Sequence, residues 1–259
     1  MDSHWRLDQR RATLELGPLN AGVDLDQPGL GLGRLRFAGG VIEPGQLLGV
    51  ELPLSAPAGD RLVEAYLRGD DLIATYADVA QPSFRWQIYW RALPGRFPQA
   101  LAAIEAIVSV QTGMLDSWPQ LTLRSILPIA RCAAWRAPLG GAGLQCERFD
   151  PGTTLKTISA AEGWGCFGFD LSGAAASYVE MVHPADFDSS SVEDLAVPSQ
   201  GTGSAAGVSL RHPLFRERLE KGVILRSRVL ALLLPEWPTF GTIADIERAF
   251  VDEELPLTT

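Results

Sequence analysis

The sequence predicts a mostly β protein, built as a large two-sheet antiparallel β-sandwich with a C-terminal helix. Three patterns support this prediction: short apolar segments separated by Gly and Pro near the N-terminus, a cleanly alternating segment around Ile88, and a helical spacing of apolar residues near the end of the chain. The 259 residues are enough to bury a sizeable core, and β domains of this length often fold as one unit. We therefore expect a single sandwich domain over residues 1–259. Whether it consists of two related halves, 1–139 and 144–259, stays open.

The first half of the chain is predicted to consist of strands and tight turns. Gly and Pro punctuate the apolar segments between Thr13 and Leu54, and Gly69–Asp71 suits a hairpin turn. The next strand alternates between two faces, with Phe84, Trp86, Ile88 and Trp90 on one and Arg85, Gln87, Tyr89 and Arg91 on the other. Residues 100–112 combine alanines, which favour helix, with β-branched residues, which favour strand. We assign that segment to a strand.

The second half is predicted to alternate loops and strands. The glycines of Gly140–Gly143 mark the best candidate for a boundary between the halves, and the Ser- and Gly-rich stretch Asp188–Gly207 is predicted to be a long surface loop. Pro213–Leu219 is expected to form a short amphipathic helical turn before a long strand that ends near Leu234. In that strand, the face of Val223, Leu225 and Val229 lies opposite to the face of Ile224, Arg226 and Arg228.

The last predicted element is a helix that packs on the sheet and ends near Glu254. Thr242 and Asp245 resemble a capping box in which Asp replaces Glu. An apolar stripe then follows at helical spacing, formed by Ile243, Ile246, Ala249 and Phe250. Such a stripe favours packing against an apolar sheet face.

Composition restricts the classes of partner. The net charge of −9 and the pI near 4.9 argue against nucleic-acid binding, which requires cationic groups that neutralise phosphates. The N-terminus lacks the apolar core of a signal peptide, and no apolar run approaches the length of a membrane span. The three cysteines form no CxxC pair and are odd in number, which argues against a disulfide framework or a zinc knuckle. We expect a cytoplasmic protein without a metal or other cofactor.

Two of the three histidines lie near carboxylates. Glu180, His183 and Asp186 follow one another at the end of a predicted strand, and His212 precedes the last long strand. A histidine beside carboxylates suits general acid/base catalysis, and His183 with His212 and Asp186 also suits a metal site. The alternative is structural, with His183 capping a turn and Asp186 bonding at the start of one helical turn. The candidate catalytic residues are His183, His212 and Glu180.

Several other polar groups are candidates for ligand binding. They comprise the charged group around the predicted hairpin, the aromatic and cationic residues of the alternating strand, and the cations before and in the last strand. The candidate set is Arg68, Asp71, Trp90, Arg91, Asp186, Lys221 and Arg226. Trp86, Tyr89 and Trp90 suit a platform for a sugar ring, and Lys221 with Arg226 suits an anionic group. The structural alternatives are a charge-balanced turn, core tryptophans and exposed ion pairs.

The segments LEKGVILRSRVLALLLP, SYVEMVHPADF and LRGDDLIATY resemble an uncharacterised family of bacterial β-rich proteins. The size of the chain, its many strands and the long strand near its end are also similar to the galactose-mutarotase-like supersandwich. Enzymes of that fold open and close a sugar ring with histidines and a carboxylate. The resemblance implies that His183 and His212 form the acid/base pair and that Glu180 or Glu220 supplies the carboxylate.

The sequence favours a non-catalytic role, in which a concave sheet binds a carbohydrate-like small molecule or a protein partner. No GxSxG, Walker or HExxH motif is present, which lowers the expectation of an enzyme. One alternative is a sugar epimerase or mutarotase that uses the histidine pair. Another is a structural or assembly protein, with its sheet edges covered by a second subunit in a homo-oligomer.

Overall fold

The structure is a computed structural model and describes residues 3–54, 57–77, 84–136, 144–149, 156–162, 165–171, 174–196 and 206–253. Its strands are β1 (Trp5–Asp8), β2 (Arg11–Leu16), β3 (Leu19–Asp24), β4 (Leu32–Phe37), β5 (Gly40–Val41), β6 (Gln46–Glu51), β7 (Leu62–Arg68), β8 (Asp71–Ala77), β9 (Phe84–Ala92), β10 (Ala102–Thr112), β11 (Leu121–Arg136), β12 (Gln145–Phe149), β13 (Lys156–Ser159), β14 (Cys166–Leu171), β15 (Ser177–Val182), β16 (Ser189–Ala196), β17 (Ala206–Leu214) and β18 (Ile224–Leu234). One α-helix in the described residues, α1 (Phe240–Val251), follows them.

The strands form three connected antiparallel sheets. Sheet A has the order β1-β2-β3-β4-β5, and β6 joins it through β4. Sheet B has the order β6-β11-β17-β16-β13. Sheet C is the largest, with the order β7-β8-β9-β10-β18-β15-β14-β11-β12. The predicted mostly β sandwich is confirmed, and β10 of the first half of the chain pairs with β18 of the second half in the centre of sheet C.

The main core lies between sheet C and the other two sheets. Trp86, Ile88 and Trp90 on β9 point into it, as the alternation of that segment predicts, and all three side chains are almost completely buried. The predicted strand over residues 100–112 is confirmed as β10, which is buried on both faces. A strand between two neighbours and covered on both sides accommodates alanines beside β-branched residues, because packing rather than propensity decides its conformation.

The outer face of sheet C, the face turned away from sheets A and B, carries α1. Ile243, Ile246 and Phe250 are completely buried there against apolar residues of β11, β14, β15 and β18, so the predicted apolar stripe is confirmed. The predicted cap at Thr242 is wrong: Thr239 is the N-cap, and its hydroxyl accepts a hydrogen bond from the Thr242 backbone N–H at 3.1 Å. The helix covers only the β18-to-β11 half of this face.

Two predicted elements of the second half are wrong. Pro213–Leu219 forms no helical turn, because β17 continues to Leu214 through pairing with β11. Within the predicted loop Asp188–Gly207, residues 189–196 form β16, held between β13 and β17. Residues 197–205 of that loop and the predicted boundary Gly140–Gly143 lie outside the described residues.

Other sequence features agree with the structure. Gly69 and Asp70 form the two-residue turn between β7 and β8, and Gly69 adopts a φ of +58°, which glycine accepts without steric cost. The two faces of β18 alternate as predicted, with Leu225 and Val229 in the main core. No helix in the described part of the chain is long and apolar enough to cross a membrane.

Candidate functional site

Five polar side chains meet inside the main core, and we name them the buried polar cluster: Ser125, Tyr178, Glu180, Ser190 and His212. His212 Nε2 lies 2.8 Å from Glu180 Oε1, and His212 Nδ1 lies 2.5 Å from the Ser190 hydroxyl. The other carboxylate oxygen accepts hydrogen bonds from the Ser125 hydroxyl, at 2.6 Å, and from the Tyr178 hydroxyl. Sheet C supplies Tyr178 and Glu180, and sheet B supplies the other three residues.

The buried polar cluster is closed to solvent. Glu180 and His212 are 0% exposed and Ser190 is 1% exposed, so a substrate cannot reach these hydrogen-bonded serine, histidine and carboxylate groups. Burial, followed by the neighbouring Glu180 carboxylate, raises the pKa of Tyr178 well above its ordinary value, so the phenol remains a donor. The chemistry that this arrangement supports is mutual satisfaction of buried polar groups.

The buried polar cluster also holds a bend in β6. Leu48 adopts a φ of +54°, an unusual conformation for a residue with a branched side chain. The Ser125 hydroxyl accepts a hydrogen bond from the Leu48 N–H at 2.9 Å, and the Trp90 indole donates to the Leu48 carbonyl at 3.1 Å. Trp90, predicted as a ligand-binding residue, therefore lies in the core with its polar atom occupied.

The structure does not bring His183 and His212 together. His183 caps the short 3₁₀ turn Pro184–Asp186, where its Nδ1 accepts a hydrogen bond from the Ala185 N–H at 3.2 Å. Its ring meets Phe250 of α1 edge-on at 5.4 Å, on the outer side of sheet C, whereas His212 lies between the sheets. Burial and the nearby Arg228 guanidinium lower the pKa of His183.

Asp186 and Lys221 also lie apart from the buried polar cluster. The Asp186 carboxylate accepts a hydrogen bond from the backbone N–H of Arg228 at 3.0 Å, and burial raises the pKa of Asp186 to about 6. Lys221 is exposed in the turn before β18. Among the residues that the structure describes, no three His, Cys, Asp or Glu side chains come together as metal ligands.

A chain of ion pairs crosses the outer face of sheet C. Arg91 binds Asp71 with two nitrogens, at 2.7 and 3.2 Å, and Arg68 approaches the same carboxylate at 3.4 Å. Arg91 also lies 3.7 Å from Glu105, which Arg228 contacts through Nε at 2.5 Å. Burial raises the pKa of Glu105, and Arg228 opposes that effect. The predicted residues Arg68, Asp71 and Arg91 therefore lie together on one face of the sheet.

Beside these ion pairs lies a shallow depression that we name the polar groove: Arg85, Gln87, Ser109, Gln111 and Arg226. It has a volume of about 70 Å³. The strand register sets Gln87 opposite Ser109 and Ser109 opposite Arg226, so β9, β10 and β18 each contribute to one row. Arg85 and Gln111 are exposed, Gln87 and Arg226 are half-buried, and Ser109 forms the floor.

The neighbours of the polar groove orient its amide. The Gln87 side chain donates to the Thr75 hydroxyl at 3.2 Å and accepts from the Tyr89 hydroxyl at 2.8 Å. Glu64 accepts hydrogen bonds from Thr75 at 3.2 Å and from Arg85 at 3.1 Å. These bonds fix the planar Gln87 amide and leave one of its N–H groups and one lone pair for a ligand.

Sequence reasoning selected only Arg226 from the polar groove and only Glu180 and His212 from the buried polar cluster. Strand alternation had placed Gln87 and Arg85 on the same face of the alternating strand. This shared face was the sequence signal that pointed to the groove. Tyr178, two residues before Glu180, shares its face by strand alternation. Ser125 and Ser190 carried no signal, because strands distant in sequence bring them to His212.

The solved structures place this architecture among known folds. A candidate aldose 1-epimerase from Escherichia coli K12 is 12% identical, with a TM-score of 0.58 over 87% of this chain and 98% of that one. The aldose epimerase homologue from C. elegans is 7% identical, with a TM-score of 0.56 over 86% and 98%. This chain has the fold of the aldose epimerase homologues.

The same fold also occurs within larger proteins. A TPR-domain containing protein from Parabacteroides distasonis is 10% identical to this chain, with a TM-score of 0.59 over 96% of this chain and 49% of that one. No protein-family model matches the chain, and no curated protein matches it in sequence. At these identities the comparisons establish the galactose-mutarotase-like fold, and a shared fold does not carry an activity with it.

Proposed function

We propose that this chain is a non-catalytic binding protein that holds a carbohydrate-like ligand in the polar groove of sheet C. The burial of the histidine–glutamate pair carries this proposal. Epimerisation requires acid and base groups within hydrogen-bond reach of the sugar. His212 and Glu180 are both 0% exposed, and His183 lies on the other side of the sheet.

The chemistry of the polar groove supports binding of hydroxyl groups. A guanidinium and a primary amide each present two polar atoms in one plane, which matches pairs of neighbouring hydroxyls on a sugar ring. Gln87 is held in position by Thr75 and Tyr89, so ligand binding does not have to order it. Tyr66, on β7 two strands away from β9 on the same face of sheet C, is 39% exposed and offers a ring face for stacking at the margin of the groove.

The proposal is tested by titrating the purified protein with a panel of neutral and acidic oligosaccharides, followed by thermal unfolding and calorimetry. A ligand at a hundredfold excess over Kd stabilises the fold by about 2.7 kcal/mol. Gln87→Ala should weaken binding of the responding sugar by about tenfold, which corresponds to about 1.4 kcal/mol. The matched control is Gln145→Ala, an exposed glutamine on β12 at the far edge of the same sheet. A panel without any response, or equal affinity in both variants, would overturn the proposal.

The competing function is a sugar epimerase, and the shared fold is the observation that favours it. It is tested by following the anomeric equilibration of aldoses by polarimetry. Acceleration that is lost in His212→Gln would establish the epimerase and remove the non-catalytic proposal. Equal acceleration in that variant would remove His212 from any catalytic role.

A protein partner is a second candidate ligand, since Leu115 is 81% exposed and Trp118 is 60% exposed in the loop after β10. A backbone bridge between Ser117 and Leu219 holds this loop to the turn before β18. Light scattering of the wild type and of Trp118→Ala tests whether this loop joins two copies of the chain.

All three cysteines are free thiols, which supports the proposal of a reducing compartment such as the cytoplasm.

A further inference from the structure

A larger cavity lies on the face of sheet A that is turned away from the main core, on the opposite side of the sandwich from the polar groove. We name it the sheet A cavity, and its volume is about 340 Å³. The residues that shape it are Gly22, Asp24, Leu30, Gly33, Arg34 and Gln46. Ala21 and Val23 of β3 point into the core, so the alternate residues Gly22 and Asp24 point outward. A concave site of this size suits a small-molecule ligand.

Two glycines form the floor of the sheet A cavity. The strand register sets Gly22 of β3 opposite Gly33 of β4, and it sets Leu32 opposite Leu47, which brings Gln46 of β6 beside Gly33. A methyl group added to Gly33 would meet nothing within 4 Å. The space above this row is therefore open, and a ligand can approach the backbone closely.

The side chain of Arg34 lies over one end of this floor. Its backbone φ of +51° is unusual for a residue with a side chain. A methyl group added to Gly22 would collide with Arg34 Nη2, which shows that the guanidinium covers that glycine. Within the described residues, Arg34 forms neither a hydrogen bond nor an ion pair. Its planar set of N–H donors is therefore available to a ligand.

Asp24 supplies an acceptor at the other end of the floor. It lies two residues beyond Gly22 on the same face of β3, which corresponds to a distance of about 7 Å along the strand. Its Oδ1 accepts a hydrogen bond from the Asp26 N–H at 3.0 Å, and its Oδ2 lies 3.9 Å from Arg11 Nε. A carboxylate offers about four lone-pair sites, so Asp24 retains acceptor capacity for a ligand.

The side chain of Gln46 supplies a second acceptor. Its Oε1 atom is buried and has no hydrogen-bond partner in the part of the chain that the structure describes. A buried acceptor without a donor is unfavourable. A ligand that donates a hydrogen bond to this oxygen removes that cost, and the sheet A cavity therefore favours a ligand with both donor and acceptor groups.

We propose that the sheet A cavity binds a free α-amino acid in its zwitterionic form. The carboxylate of the ligand accepts hydrogen bonds from the Arg34 guanidinium, and its ammonium donates to Asp24 and to Gln46 Oε1. An α-amino acid with an ionic contact of about 2.8 Å at each end bridges a separation of about 7 Å. Leu30, which is 37% exposed, offers an apolar contact to the ligand side chain. The site is separate from the polar groove and does not depend on the proposed carbohydrate binding.

The proposal is tested by calorimetry on the full chain with L-alanine, L-leucine and L-phenylalanine. Two analogues of L-leucine then test each charged group of the ligand. 4-Methyl-2-oxopentanoate lacks the ammonium, and 3-methylbutylamine lacks the carboxylate. Each analogue should bind at least about tenfold more weakly than L-leucine, because each loses the contacts at one end of the cavity.

Three variants test the location of the site. Arg34→Gln and Gln46→Ala should each weaken binding of L-leucine by about tenfold. Gly33→Leu should abolish binding, because its side chain fills the open space above the floor. The matched control is Arg36→Gln, which alters an exposed arginine of the same strand outside the cavity, where it donates to the Gly39 carbonyl at 3.4 Å. This control should bind L-leucine as the wild type does.

Several results would overturn the proposal. Absence of binding for all three amino acids would remove the ligand class. Equal affinity for L-leucine and its oxo analogue would contradict the role of Asp24 and Gln46 as acceptors for the ammonium. Unchanged affinity in a folded Gly33→Leu protein would place the bound amino acid elsewhere. If circular dichroism shows that Gly33→Leu does not fold, the comparison of Arg34→Gln with Arg36→Gln decides, and equal affinity in those two variants would refute the site.

Discussion

Replacement of Glu180 by Gln should destabilise the fold strongly, because this carboxylate is the shared acceptor of the buried polar cluster. The Ser125 and Tyr178 hydroxyls both donate to one oxygen, and His212 Nε2 lies against the other. All of these side chains are inaccessible to water. A glutamine side chain keeps one acceptor oxygen but directs an NH₂ group at one set of donors.

The magnitude follows from the number of donors that lose a partner. Each buried donor left without an acceptor costs about 1–3 kcal/mol. Glu180→Gln leaves one or two donors facing the NH₂ group, depending on the orientation of the amide. We therefore expect the free energy of unfolding to fall by about 2–4 kcal/mol, close to the loss of about 3–5 kcal/mol when one partner of a buried ion pair is removed.

The measurement is urea denaturation at neutral pH, followed by circular dichroism. The matched control is Glu64→Gln, which alters an exposed carboxylate that also accepts hydrogen bonds from Thr75 and Arg85. Its expected loss is below about 1 kcal/mol, as for exposed ion pairs. A loss within about 0.5 kcal/mol of zero for Glu180→Gln would refute the argument that the cluster depends on the carboxylate.

Three further predictions concern other parts of the fold. Burial raises the pKa of Asp186 to about 6, so between about pH 4 and 6 the folded state binds more protons than the unfolded state. The free energy of unfolding therefore falls as pH rises through this range. Asp186→Asn should remove about 2–3 kcal/mol of this pH dependence, as measured by denaturation across the same range. Thr239→Ala should lower stability by about 1 kcal/mol, since it removes the N-cap of α1. Gly168→Ala should cost about 1–3 kcal/mol in thermal unfolding, because the added methyl group meets the Trp135 ring, whereas Gly33→Ala meets nothing within 4 Å and should stay near the wild type.

Each of these predictions has an outcome that contradicts it. Asp188→Asn alters an exposed carboxylate in the same region and should leave the pH dependence unchanged; equal slopes in the two variants would show that Asp186 is not responsible. Thr242→Ala should cost less than Thr239→Ala, because Thr242 contributes its backbone N–H to the cap. Equal stability of the two glycine variants would contradict the close contact at Gly168.

The sequence predicted correctly those strands in which the alternation of apolar and polar residues is visible within the strand itself. Alternation in β9 and β18 separated their two faces correctly, since side chains of a strand point to opposite sides at every step. The stripe of α1 was also evident, because helical spacing is read within two turns. The cap was misplaced by three residues, as threonines occur at both positions 239 and 242.

The errors arose where partners distant in sequence decide the structure. Residues 189–196 resemble a loop in composition, yet pairing with β13 and β17 makes them a strand with Ser190 and Val192 inside. Pro213 remains in β17 for the same reason. The serine partners of His212 were equally hidden, because only the stacking of sheet B on sheet C brings Ser190 and Glu180 to one histidine.

Strand β11 has a consequence for synthesis of the protein on the ribosome. Its first part, near Leu123, pairs with β6 and β17 in sheet B, and its last part, near Ala134, pairs with β14 and β12 in sheet C. At the centre of sheet C, β10 likewise waits for β18, more than a hundred residues later in the chain. The nascent polypeptide therefore exposes unpaired strand edges until residues near Leu234 have emerged, and we expect the two layers to close together only after that point of translation.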